Sequence, residues 1–285
     1  MSNIAIVSDS SAYIPKDLVK KHNLTIIPLT VNWLGRTYRD GVDIEANDFY
    51  KQMAESKEMA TTSQITTGAF LEVFKKLLDE GKDVLYLGIS KGLSATIDSA
   101  IAAKKELGDP ENLIVWNTNL VSMALTLMVL EVARAAEKGA SLQECFELAQ
   151  DAYSRIGVYF TVNSLEYLHR GGRINSAKRL LGSILDLKPI MMIRDGKIEL
   201  VESVRSQKKA LSRMVELIEK DIAGCSPVRI GPFHALAYDE MLVMEAIAVE
   251  KLHPIEIIRS EVSPVIGSHV GPGTVSMAYI VDKAE

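Results

Sequence analysis

Four short stretches gather hydroxyls, arginines, glycines and a histidine in segments read as loops, where side chains can converge on a ligand. Thr61–Gln64 puts three hydroxyls ahead of a helix starting near Thr67. They can donate to a carboxylate or phosphate, or serve only local turns and capping. Ile89–Thr96 (ISKGLSAT) follows a strand and opens a helix, so its backbone N–H groups and the helix dipole favour an anion next to Ser94. The alternative is that Ser94 only caps the helix, worth about 1 kcal/mol. Leu168–Ile174 (LHRGGRI) sets two arginines around a glycine pair, and Arg173 is the better candidate for a bidentate grip on phosphate or carboxylate. Its other reading is a helix end at Gly171 with cations offsetting the dipole. Arg205, between a strand and a helix, either joins it or is an exposed charge. Ile266–Thr274 (IGSHVGPGT) is the most specific segment: three glycines and a proline shape an unusual loop around His269, which lacks the apolar setting expected of a core histidine.

The elements that must position these residues change character along the chain. Ile4–Val7, Leu24–Val31, Asp83–Ile89 and Leu113–Trp116 read as strands, with helices from Pro15 to Lys20 and over 67–80, 94–107, 119–138 and 142–155. The helix at 119–138 is apolar nearly all round, which predicts burial. Such alternation indicates a doubly wound parallel sheet. From about residue 157 the strands 157–161, 190–193, 198–204, 229–237 and 276–281 predominate, with helices near 206–222 and 239–252. Asp195-Gly196 between two apolar runs signals a hairpin, so this half carries a mixed or antiparallel sheet. The expected domains are 1–157 and 158–285, with 50–66 able to pack with the second.

Composition narrows the function classes. Of 285 residues, 47% are apolar and 24% charged, an ordinary globular profile. With 32 Lys and Arg against 37 Asp and Glu, the formal charge of −5 supplies no field for nucleic acid. No leader or long apolar run is evident, and Cys145 and Cys225 form neither a zinc pair nor a disulfide framework. A cytoplasmic protein with both cysteines in its core is expected. His22, His169, His234 and His253 have no ligand spacing and no HExxH occurs, so no metal is expected.

Taken together, Asp9-Ser-Ser11, Thr62-Ser-Gln64, Gly92-Leu-Ser-Ala-Thr96, Gly171-Gly-Arg-Ile174, Lys188-Pro-Ile190 and Gly267-Ser-His-Val-Gly-Pro-Gly273 resemble the DegV family in order and spacing over nearly the whole chain. The resemblance implies a bacterial two-domain α/β protein with a lipid tunnel between its domains. It implies one long-chain fatty acid as ligand, no other cofactor and no catalytic residue in the chain itself. FakB-type members present the bound acid to a separate fatty acid kinase, which makes an acyl phosphate for phospholipid synthesis. Carried onto this sequence, Thr62, Ser63, Ser94, Gly267, Ser268 and His269 would surround the carboxylate, and Arg173 and Arg205 would serve phosphate or kinase contact. The implied partners are the fatty acid and the kinase, with transient membrane contact and no nucleic acid. Ala95 and the 116–124 segment depart from the family pattern, and the second departure bears on the tunnel wall.

Physical scale agrees with such a role, since each buried CH₂ of an acyl chain contributes about 0.8 kcal/mol. Eleven methionines, among them Met123, Met128, Met191, Met192, Met241 and Met244, would let the wall adapt or would simply fill the core. The rival readings are a serine acyl hydrolase using Ser94 and His269, with Asp9 or another carboxylate as its acid, and a binder of another small anionic lipid. No GxSxG elbow supports the hydrolase.

Overall fold

The computed structural model describes residues 3–56, 58–174, 177–178 and 187–282. In chain order these form β1 (Ile4–Asp9), α1 (Lys16–Lys21), β2 (Thr25–Ile27), β3 (Thr30–Trp33), β4 (Arg36–Arg39), α2 (Ala46–Glu55), β5 (Thr61–Ser63) and α3 (Thr67–Asp79). Then come β6 (Asp83–Gly88), α4 (Thr96–Glu106), β7 (Leu113–Asn117), α5 (Ser122–Glu137), α6 (Leu142–Tyr153), β8 (Ile156–Thr161) and α7 (Glu166–Arg170). The chain continues through β9 (Lys188–Arg194), β10 (Lys197–Val204), α8 (Gln207–Ile222), β11 (Val228–Ala235) and α9 (Tyr238–Leu252). It closes with β12 (Glu256–Ile257), β13 (Ser260–Glu261), α10 (Pro264–Val270) and β14 (Thr274–Val281).

Two large sheets face one another across a shared core. The first, in the order β2-β1-β6-β7, is wholly parallel, with α3 and α4 packed together on one side and α5 and α6 on the other. The second runs β10-β9-β8-β14-β11-β12, with β13 also pairing β11; its longer strands are antiparallel and the two short ones join β11 in parallel. Helix α5 contacts strands of both sheets, so its first half has no solvent side and residues 122–130 are buried throughout. That placement is the physical reason for its all-round apolar sequence. Helices α8 and α9 cover the far face of the second sheet around Met214, Ile218, Met241 and Met244.

Alternation along β14 decides which side chains face inward. Val275, Met277 and Tyr279 belong to the outer core under α8 and α9, whereas Ala278 and Ile280 belong to the inner core. Ser276 therefore points inward, directly opposite Phe160 of β8 and Phe233 of β11. The Asp195-Gly196 turn joins β9 to β10 with φ of 49° and 74°, left-handed values that suit a two-residue hairpin.

Three expectations are corrected. Leu24–Val31 is not one strand: β2 joins the parallel sheet and β3 begins a separate three-stranded sheet, β4-β3-β5, because Pro28 intervenes without an amide proton. Thr61–Ser63 is a strand of that small sheet and not a loop, and the sheet packs on α10. Residues 264–270 of the glycine-rich segment are helical, with Ser263 capping Ile266 N–H and Pro264 at the first position. In addition, Cys145 is buried as expected but Cys225 is exposed, since it follows the left-handed Ala223-Gly224 turn that ends α8.

Candidate functional site

Between the two large sheets lies a cavity of about 430 Å³, within the roughly 300–1,000 Å³ of small-molecule sites. Most of its wall is apolar. Ile89 and Leu93 follow β6, Phe160 and Phe233 come from the second sheet, and Ile193 and Ile198 flank the β9–β10 turn. The turn docks on the loop after β6, where Ser90 Oγ donates to the Gly196 carbonyl at 2.7 Å. A Cβ on Gly92 would stand 2.4 Å from that same carbonyl oxygen, so the glycine is needed for this close approach.

Four polar side chains of the cavity gather into one cluster. Thr62 Oγ1 and His269 Nε2 are 2.9 Å apart, joining β5 to the last turn of α10. Arg173 lies close enough for its charge to act on His269, and its Nε donates to the Leu93 carbonyl at 3.0 Å, beside Ser94. Ser94 Oγ sits 2.9 Å from Thr96 Oγ1, one residue outside the Ala95 cap of α4. Ser63 and Gln64 also line the cavity; both are exposed, as is Ala95, so this polar end is its mouth.

The remaining candidates lie elsewhere. Gly267 packs under Tyr50, whose hydroxyl oxygen would be 2.3 Å from an added Cβ. Ser268 Oγ donates to the Pro264 carbonyl inside α10. Neither lines the cavity, and nor does Arg205, which is exposed after β10. None of Met123, Met128, Met191, Met192, Met241 and Met244 reaches the cavity; five are fully buried core residues, and the partly buried Met192 packs against the outer core.

Buried groups fix the segments that carry Ser94 and His269. Asp9, fully buried, accepts from Tyr86 Oη at 2.9 Å, Ile89 N at 2.8 Å and Ser11 N at 3.1 Å, which sets the start of the Ile89–Ser94 segment. Burial raises its pKa, against the lowering effect of these hydrogen bonds. Asp40 accepts from Ser10 Oγ and from Val265 N at the start of α10, and burial pushes its carboxyl up to about 7. Two glycines let α7 and α10 interlock: a Cβ on Gly171 would stand 2.2 Å from His269 Nδ1, and one on Gly271 would stand 2.3 Å from the Tyr167 ring. The glycine pair thus ends α7 and also makes room for the imidazole. Asp9 and Gly171 were visible as sequence motifs, but composition alone carries no sign of these tertiary contacts. Phe160, Phe233 and Ser276 were hidden in ordinary strand sequence.

His269 is depressed to about 4, first by burial and then by the Arg173 charge, so the imidazole is neutral at ordinary pH. Its Nδ1 is buried without a partner among the described residues. Stability linked to this neutral ring is complete above the ordinary value of 6.5 and is lost as pH falls towards 4, because the unfolded chain takes the proton first. Asp40 has the opposite sign and favours the fold as pH falls from about 7. We therefore expect the stability difference between wild type and His269→Gln to shrink by about 3 kcal/mol between neutral pH and pH 4, measured by urea unfolding. A difference that stays constant with pH would contradict the neutral, desolvated histidine.

The triad of a hydrolase is not assembled. Among the described residues, Ser94 Oγ meets Thr96, His269 meets Thr62, and the Asp9 carboxylate is taken up by Ser11, Tyr86 and Ile89. Also among the described residues, no acidic, histidine or cysteine cluster could hold a metal, and no helix is long and apolar enough to cross a membrane.

Two facing sheets, an apolar cavity between them and a polar mouth define the class of small-ligand binding proteins of α/β architecture. The chain belongs to the DegV family, described as uncharacterised proteins, which it matches over residues 3–282. It is 33% identical over 279 residues to a DegV domain-containing protein of Caldanaerobacter subterraneus, covering 98% of this chain and 99% of that one. Among solved structures it is similar to a DegV family protein from Thermus thermophilus described for fatty acid binding, with TM-score 0.93, 31% identity, and 99% and 100% of the two chains covered. It is also similar to a stearic acid-binding protein from Eubacterium ventriosum, with TM-score 0.91, 25% identity and 98% of each chain covered. Structural neighbours of this family thus bind fatty acids.

Proposed function

We propose that this protein is a carrier that buries one long-chain fatty acid in the cavity and holds its carboxyl group at the polar mouth. The observation that carries this reading is the joining of a mostly apolar cavity to a single cluster of Thr62, His269, Arg173 and Ser94 at the opening. Apolar burial supplies the affinity, and the cluster fixes orientation by satisfying a carboxylate that would be costly unpaired. Arg173 contributes a permanent charge. With the neutral imidazole as the Nε2–H tautomer, His269 donates to Thr62 and leaves the Thr62 proton free for the ligand, while the orphaned Nδ1 is an acceptor instead of a donor.

An acid held this way presents its reacting end outward, beside the exposed Ser63, Gln64 and Ala95. That arrangement suits delivery to a separate fatty acid kinase, with Arg173 at the mouth and Arg205 on the surface available for phosphate or kinase contact. Among the described residues no base reaches Ser94, which favours carriage over acyl transfer within the chain. The cellular setting that fits is the cytoplasm, with membrane contact only during exchange.

Denaturing extraction and mass spectrometry of the purified protein should release about one fatty acid per chain. Ser94→Ala and His269→Ala should lower that occupancy. Incubation of the loaded protein with a fatty acid kinase and ATP should form acyl phosphate, and Arg205→Ala should keep its lipid while losing this transfer. A protein that carries no lipid and takes up none when offered is not a carrier.

A further inference from the structure

Two hydroxyls interrupt the apolar wall away from the Thr62–His269 pair. Ser276 is 1% exposed and faces inward between Phe160 and Phe233 on adjacent strands. Ser122, at the start of α5, is 6% exposed and has φ of 53°, a left-handed conformation that costs a non-glycine residue strain. Both line the cavity, and no described residue hydrogen-bonds to either side chain. Ser122 stands on α5, which packs against β14, the strand that carries Ser276. Met123 fills the space above Gly231, where an added Cβ would stand 2.1 Å from its Cγ, and Gly231 pairs with Ala278, two residues from Ser276.

A hydroxyl facing the cavity loses its water when an apolar acyl chain lies over it, and without a new partner that loss is unfavourable. An oxygen at the matching position on the chain would remove it. Phe160 and Phe233 on either side would hold such a chain in register. We infer that Ser276, with Ser122 on the adjoining helix, is a specificity site that selects a fatty acid bearing a hydroxyl part-way along its chain. This inference rests on the carrier reading and names the kind of fatty acid it takes.

The test measures dissociation constants for stearate and for a series of stearic acids hydroxylated at successive mid-chain carbons. One or two adjacent positional isomers are expected to bind roughly five- to tenfold tighter than stearate, the net value of one good hydrogen bond. Ser276→Ala should abolish that preference, bringing every isomer to the variant's own affinity for stearate, and Ser276→Thr, which keeps the hydroxyl, should retain it. Ser122→Ala is read alongside for the same loss. Stearate binding with no isomer preferred, or a preference that survives in Ser276→Ala, overturns this inference alone. Failure of stearate and every isomer to bind overturns the carrier reading and this inference with it.

Discussion

Asp9→Ala is expected to lower the unfolding free energy by about 3–5 kcal/mol, among the largest single-residue effects in the chain. The carboxylate is fully buried and serves several donors together: Tyr86 Oη, Ile89 N–H, and the hydroxyl and N–H of Ser11. Alanine removes every acceptor and leaves those groups without partners, each costing about 1–3 kcal/mol where it cannot reorient. Asp9→Asn separates charge from geometry. An amide keeps one oxygen, but its NH₂ must face either the Ile89 N–H or the Ser11 N–H, and neither backbone donor can turn away. Asparagine should therefore still destabilise, by about 1–3 kcal/mol. Because Ile89, Leu93 and Ser94 line the cavity, both variants should also bind fatty acid more weakly. Urea unfolding combined with ligand titration reads both effects, and an Asp9→Ala protein of wild-type stability would show that the carboxylate positions nothing.

This role for Asp9 marks where reading the sequence stops. Strands and helices whose patterns depend on neighbours in the chain were legible: the parallel βα alternation, the Asp195-Gly196 turn and the mostly apolar α5 all stand where their residues placed them. Segments governed by distant partners were not. The short β3 and β5 pair with each other across about thirty residues (Thr30 with Ser63), and neither has an alternating pattern long enough to identify it. Helix α10 was obscured by its glycines, since Gly267 looks like a loop residue until Tyr50 is seen filling the space beside it. The polar cluster was legible as residue types because hydroxyl, arginine and glycine-flanked histidine stand out from apolar surroundings. The wall that it caps was not, since Phe160, Phe233 and Ser276 look like any strand residues until their register places them side by side.

Gly171→Ala should cost roughly ten- to a hundredfold in fatty acid affinity, whereas Gly172→Ala, one residue on, should cost almost none. The backbone at Gly171 has φ of −72°, so alanine suits it and no strain follows from the conformation. Space is what is missing: the new Cβ would stand 2.2 Å from His269 Nδ1, and the imidazole is held on its other side by Thr62. The ring must turn out of the cluster, taking with it a hydrogen-bond network aimed at a charged group, worth about 1.5–3 kcal/mol. Gly172 presents the reverse case. Its φ is +70° and nothing lies within 4 Å of an added Cβ, so alanine there pays only backbone strain of about 1 kcal/mol. The two neighbours thus separate affinity from stability, which isothermal titration and thermal unfolding of the same pair of variants can resolve. A double-mutant cycle completes the argument. If Gly171 acts only by admitting the imidazole, Gly171→Ala should add no further loss of affinity to His269→Ala, whereas additive losses would mean that the glycine serves the site by some other route.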